Sequence, residues 1–108
     1  MLHTVNKSPF EKNSLETCLR LTEQDSTVLL IEDGVYGALK GTKIEDLVSE
    51  SLSNVKMYVL GPDLMARGLD KNSLINNIEI IDYQDFVKLA VENERIQNWL
   101  SIRSILCQ

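Results

Sequence analysis

Only a few side chains here belong to types that do covalent or acid–base chemistry, and their spacing says more than their number. Cysteine occurs twice, at Cys18 and Cys107. A thiol does nucleophilic chemistry only as a reachable thiolate. Cys18 shares i, i+3, i+4 spacing with Leu15 and Leu19, which places it on the apolar stripe of a helix. The residues leave two readings of Cys18 open: a reactive nucleophile, or a buried core cysteine. Cys107 falls in a terminal stretch, where exposure alone would make a thiol reactive without giving it a role. The two cysteines form neither a disulfide framework nor a metal motif. The single histidine, His3, leaves little material for a metal site or a Ser-His-Asp triad. It reads as a hydrogen-bonded structural residue, and neither a cofactor site nor a metal site is expected.

Glu32 and Asp33 are the remaining candidates. Adjacent positions at a strand end point in different directions, so the two rarely converge on one substrate as an acid–base pair. They read instead as an acidic corner at the carboxyl end of a strand, where ligands and partners usually meet open α/β sheets. The plainer alternative is that Asp33 caps the next helix, with Gly34 leaving the backbone open. Tyr36, Tyr58 and Trp99 read as packing or interface anchors rather than base-stacking platforms, because no basic patch accompanies them. Glu32, Asp33, Tyr36 and Trp99 are thus the candidate interface residues.

The elements that must position these groups follow from hydropathy. Val28-Leu29-Leu30-Ile31 is an unbroken apolar run, suited to a strand buried on both faces of a parallel sheet. Leu2 to Val5, Met57 to Leu60 and Ile78 to Ile81 supply three more strands. Between them lie helical stretches: one after the Ser8-Pro9-Phe10-Glu11 start signal, with Asn13 and Glu16 as a second possible start; a short one holding Val35, Ala38 and Leu39, ended by Gly41; one with Ile44, Leu47, Val48 and Leu52 on one side; one from Leu64 to Arg67, closed by Gly68; and one after Asp82 with Phe86, Leu89 and Ala90 inward. Asp33, Asp63 and Asp82 each end a strand at a helix start. The alternation predicts a single α/β domain with a mainly parallel sheet of about four strands and helices on both faces. The stretch from Asn98 onward has no clear place in that sheet.

The chain has 108 residues, enough for one core. Its net charge of −5, with eleven scattered basic residues, argues against direct binding of nucleic acid. No apolar run approaches the roughly 20 residues of a membrane span, and the N-terminus lacks the features of a secretory signal. A cytoplasmic location is the expectation.

Several blocks resemble the TusB/DsrH family of sulfur-relay subunits. They are Met1-Leu2-His3-Thr4-Val5-Asn6-Lys7-Ser8-Pro9-Phe10, Leu29 to Tyr36, Val59 to Leu69, Ile81 to Val87 and Gln97 to Leu100. Their order and spread cover residues 1–100, leaving 101–108 as an extension, helical or mobile, where relatives tend to stop. The resemblance implies a DsrE-like fold. It implies assembly with TusC/DsrF-like and TusD/DsrE-like subunits into a heterohexamer that meets sulfur donor or acceptor proteins. Such complexes pass persulfide sulfur towards 2-thiouridine at the tRNA wobble position, or carry it in dissimilatory sulfur oxidation. The main sulfur-carrying cysteine belongs to the TusD/DsrE-type subunit, and this chain has none after its second or third strand. The expected role is therefore accessory. One alternative is a sulfurtransferase subunit using Cys18, and a further one is a homo-oligomeric binding module sharing only the fold.

Overall fold

The computed structural model describes residues 1–9, 14–93 and 96–99, with Ser14 and residues 97–99 described by their backbone alone. The expected start signal over Ser8 to Glu11, the extension 101–108 and Cys107 lie partly or wholly outside the described residues. Five strands form one sheet: β1 (Leu2–Val5), β2 (Thr27–Leu30), β3 (Lys56–Leu60), β4 (Glu79–Ile81) and β5 (Ile96–Trp99), in the order β4-β3-β2-β1-β5. Every neighbouring pair is parallel. The helices are α1 (Ser14–Leu21), α2 (Glu45–Ser51), α3 (Gly61–Ala66) and α4 (Tyr83–Glu92), with 3-10 turns at Glu32–Ala38 and Lys71–Ser73.

The expected mainly parallel sheet of about four strands is present, and β5 joins it at the edge as a fifth. Ile96-Gln97-Asn98-Trp99 carries two polar residues in four, too weak a pattern to announce a strand. Its order comes from the β1 ladder, where Leu2 lies opposite Ile96 and Val5 opposite Trp99. Central β2 reads clearly because both its faces are covered.

Strand order also decides where the helices go. From β1 to β4 each crossover steps the same way along the sheet, so right-handed connections all lie on one face. The β4-to-β5 connection steps back across β3, β2 and β1, so α4 must lie on the other face. Burial follows this division. Val5, Val28, Leu30, Met57 and Val59 face a core shared with Leu15, Cys18, Val35 and Val48. Leu2, Leu29, Leu60 and Ile81 face the opposite way, packed by Phe86, Leu89 and Ala90 of α4. The alternation of Val28 and Leu29 between two cores is why β2 has no polar position from Val28 to Leu30.

Candidate functional site

The carboxyl ends of the strands hold the acidic corner, and the aspartates that follow β2, β3 and β4 do three different things. Asp82 caps α4 as expected: its carboxylate accepts from the Asp85 amide at 2.8 Å, and Asp85 returns a contact to the Asp82 amide. The hydrogen bond from the Asp85 amide holds the Asp82 carboxyl below its ordinary range.

Asp33 is not a cap, which corrects the plainer reading of the corner. The segment after β2 is a 3-10 helix that already begins at Glu32, with Ile31 in the cap position and no capping side chain. Asp33 therefore falls inside the first turn, and its carboxylate pairs with Arg67 Nε at 2.9 Å. Asp63 does not cap its own helix either: its Oδ2 accepts from the Glu32 amide at 2.6 Å. That bond supports a non-glycine residue at φ 49°, a left-handed conformation costing about 1–2 kcal/mol. Arg67 also donates to the Asp63 carbonyl at 3.2 Å. The turn after β2 and the helix after β3 are thus tied together by Glu32, Asp33, Asp63 and Arg67. Arg67 was not among the site residues expected from sequence. Its one signal is its place four residues after Asp63, at the carboxyl end of a short helix.

This corner is a polar clasp rather than a catalytic constellation. Asp33 is 53% exposed and its pair with Arg67 is worth at most about 1 kcal/mol. Glu32 is exposed and Tyr36 half-buried, so both present surface on the same segment. Trp99 ends β5 opposite Val5, whose carbonyl accepts from the Ile31 amide at 3.0 Å. The backbone of Trp99 and the acidic segment therefore share the carboxyl edge of the sheet.

Cys18 is placed elsewhere. Its side chain is 0% exposed, within the core between α1 and the sheet. Sγ lies 3.5 Å from the Thr22 hydroxyl, which itself donates to the Cys18 carbonyl. Burial pushes the thiol up to about 11, opposed by the Thr22 hydrogen bond. In this conformation Cys18 is a protonated packing group. Among the described residues, no group of three or more His, Cys, Asp or Glu side chains is placed to hold a metal ion. No helix of the described residues is long and apolar enough to cross a membrane.

His3, in β1, is 5% exposed. Burial lowers its pKa, the nearby amino terminus lowers it further, and Glu23 opposes both. The fold therefore prefers neutral imidazole while the unfolded chain protonates near 6.5. The stability this contributes is complete above that value and is lost as pH falls towards the folded-state pKa. We expect the urea midpoint to drop between pH 7.5 and 5, with a smaller drop in His3→Gln. Equal pH dependence of both proteins would show that His3 carries no such linkage. Asp82 titrates below the ordinary carboxylate range and stays outside this window.

Comparison with known proteins follows the same lines. A family model described as "DsrH like protein" matches residues 7–96. Protein TusB of Pectobacterium parmentieri is 39% identical over 100 residues, covering 92% of this chain and 100% of the relative. Protein TusB of Escherichia coli (strain K12) is 40% identical over 101 residues, with the same coverage. Among solved structures, the ychN protein from E. coli aligns with a TM-score of 0.76 at 22% identity, covering 90% of this chain and 97% of that one. A protein of unknown function from Methanobacterium thermoautotrophicum gives 0.70 at 15% identity, over 90% and 96% of the two chains. At such identities these two likenesses speak for the fold alone. The family model and the TusB relatives, matched along their whole length, show that this chain belongs to the TusB/DsrH family.

Proposed function

We propose that this protein is an accessory subunit of a sulfur-relay complex serving 2-thiolation of the tRNA wobble uridine. It assembles with TusC/DsrF-like and TusD/DsrE-like subunits and does not itself carry the sulfur. The TusB relatives support the tRNA branch over dissimilatory sulfur oxidation. The observation that carries the accessory role is the state of Cys18, buried and with its pKa raised to about 11. A relay thiol needs the opposite environment, exposed and electropositive. The net charge of −5 further supports leaving the RNA to another component.

The test is deletion of the gene in its own organism, followed by mass-spectrometric measurement of 2-thiouridine in digested tRNA. We expect 2-thiouridine to fall to a small fraction of its normal level and to return on complementation. Unchanged 2-thiouridine would end the tRNA reading. If sulfur oxidation failed instead, the other branch would take its place.

A further inference from the structure

Helix α4 is apolar around more of its circumference than the sheet uses. At about 100° per residue, Phe86, Leu89 and Ala90 turn onto Leu2, Leu29, Leu60 and Ile81. Tyr83, Val87 and Val91 follow at i, i+4 and i+8 on the adjoining flank, and are 57%, 61% and 80% exposed. On the other side of the helix, Asp85, Lys88 and Glu92 border a hollow against Tyr58 and Glu79 of β3 and β4. The apolar flank therefore looks along the sheet towards β1 and β5. There Ile96, 46% exposed, lies opposite Leu2 and so shares its face of the sheet.

We propose that in the free chain this flank is covered by the chain's own residues 101–108, wound as a helix beside α4. The inference goes beyond the sulfur-relay reading and does not rest on it. Four observations choose the occupant. The first is where the segment starts. All five strands are parallel, so β5 reaches Trp99 at the same edge of the sheet at which β4 gives way to Asp82 and Tyr83. Residues beyond Trp99 therefore set out level with the head of the flank. The second is which face is open. Helix α1 already packs against β1 and β5 on the face of Leu15 and Cys18. A helix turning back over β5 thus goes to the face that holds α4.

Length and pattern then agree. Residues 101–108 rise about 12 Å as a helix, and Tyr83 to Val91 span about 12 Å. Ile102, Ile105 and Leu106 keep i, i+3, i+4 spacing, with Arg103, Ser104 and Gln108 outside that stripe. Eight residues are too few to hold a helix alone in water, so the stripe needs an apolar surface to form on. So placed, the segment is a strap, and any other chain reaches the flank only by displacing it.

The experiment places photoreactive benzoylphenylalanine at position 87 of the full chain and, as a reference, at position 65. Met65 is as exposed as Val91, at 80%, but belongs to α3, whose Leu64 packs on the opposite face. Each protein is purified and irradiated as an equal mixture of ordinary and nitrogen-15-labelled chains, and linked peptides are sequenced by mass spectrometry. We expect links from position 87 to residues 101–108 of the same chain, about tenfold or more above the yield from position 65. Ile102→Asp with Ile105→Asp should lower the yield from position 87 about tenfold and leave that from position 65 unchanged, because carboxylates do not enter an apolar contact unpaired. Equal yields from the two positions would overturn the proposal, since the segment would then have no seat. Links joining ordinary to labelled chains would overturn it in favour of a second copy. So would an undiminished yield from position 87 in the doubly substituted chain. None of these outcomes moves the tRNA reading, which stands or falls with 2-thiouridine.

Discussion

Gly34→Ala should destabilise this protein by roughly 3 kcal/mol or more, at the upper end of the range for overpacking a well-filled interior. A β-carbon built on Gly34 would stand 2.0 Å from the Val5 carbonyl oxygen and 2.8 Å from its carbon. Both are backbone atoms, so no rotamer change relieves the clash. The Val5 carbonyl also accepts from the Ile31 amide at 3.0 Å, and Gly34 N–H donates to the Ile31 carbonyl at 2.8 Å. Moving either partner breaks the stitching of the 3-10 segment to β1. For a domain of this size the loss corresponds to a fall of more than about 10 °C in Tm. Gly61→Ala is the control. Its added carbon would meet the Ile80 Cγ2 methyl at 3.1 Å and the Ile81 carbonyl oxygen at 3.4 Å, an approach that shifts of a few tenths of an ångström relieve. If urea denaturation put both variants within about 1 kcal/mol of wild type, the close approach at Gly34 would not be the constraint argued here.

Gly34 also shows what a sequence can and cannot say about such a corner. Asp33-Gly34 after an apolar strand reads naturally as a helix cap followed by a flexible link. The structure uses both residues differently: glycine for close approach to β1, and aspartate for a partner 34 residues away. Neither relation is local, so neither leaves a local pattern. The central strands β2 and β3 were legible because burial on two faces imposes apolar runs. Cys18 could be assigned to an apolar helical stripe, although its actual depth needed the sheet beneath it. Asp82 was legible too, since a capping box is a contact within four residues. β5 was not, because an edge strand with two polar residues depends on β1 for its order.

The apolar surplus of α4 was hidden for a related reason. Phe86, Leu89 and Ala90 already account for an inward face, and Tyr83, Val87 and Val91 simply widen the same apolar arc in sequence. Only the position of the sheet separates residues that are covered from residues that are not. The acidic corner and the α4 flank are therefore two distinct surfaces. One is polar and internally tied, and the other is apolar with its contacts unfilled among the described residues.

Cys18 should be close to inert as a nucleophile, and sulfur transfer should not depend on it. With the thiol raised from 9.0 to about 11, its thiolate fraction near neutral pH falls roughly 100-fold below that of an ordinary cysteine. Burial adds a barrier of access on top of this. In a Cys107→Ser background Cys18 is the single thiol in the chain. Its labelling by a disulfide reagent should then be at least about 100-fold slower than that of a free thiol, and should speed up on adding urea as the core opens. Cys18→Ala removes a small group from the core shared with Leu15, Val28 and Leu30, so a stability loss of about 1 kcal/mol is expected. Complementation with this variant should nevertheless restore 2-thiouridine to the wild-type level. If Cys18→Ala folds and joins its complex yet fails to restore thiolation, the accessory role gives way to Cys18 as a persulfide carrier. The core around α1 would then have to open during turnover, and fast labelling of Cys18 without denaturant would be the independent sign of it.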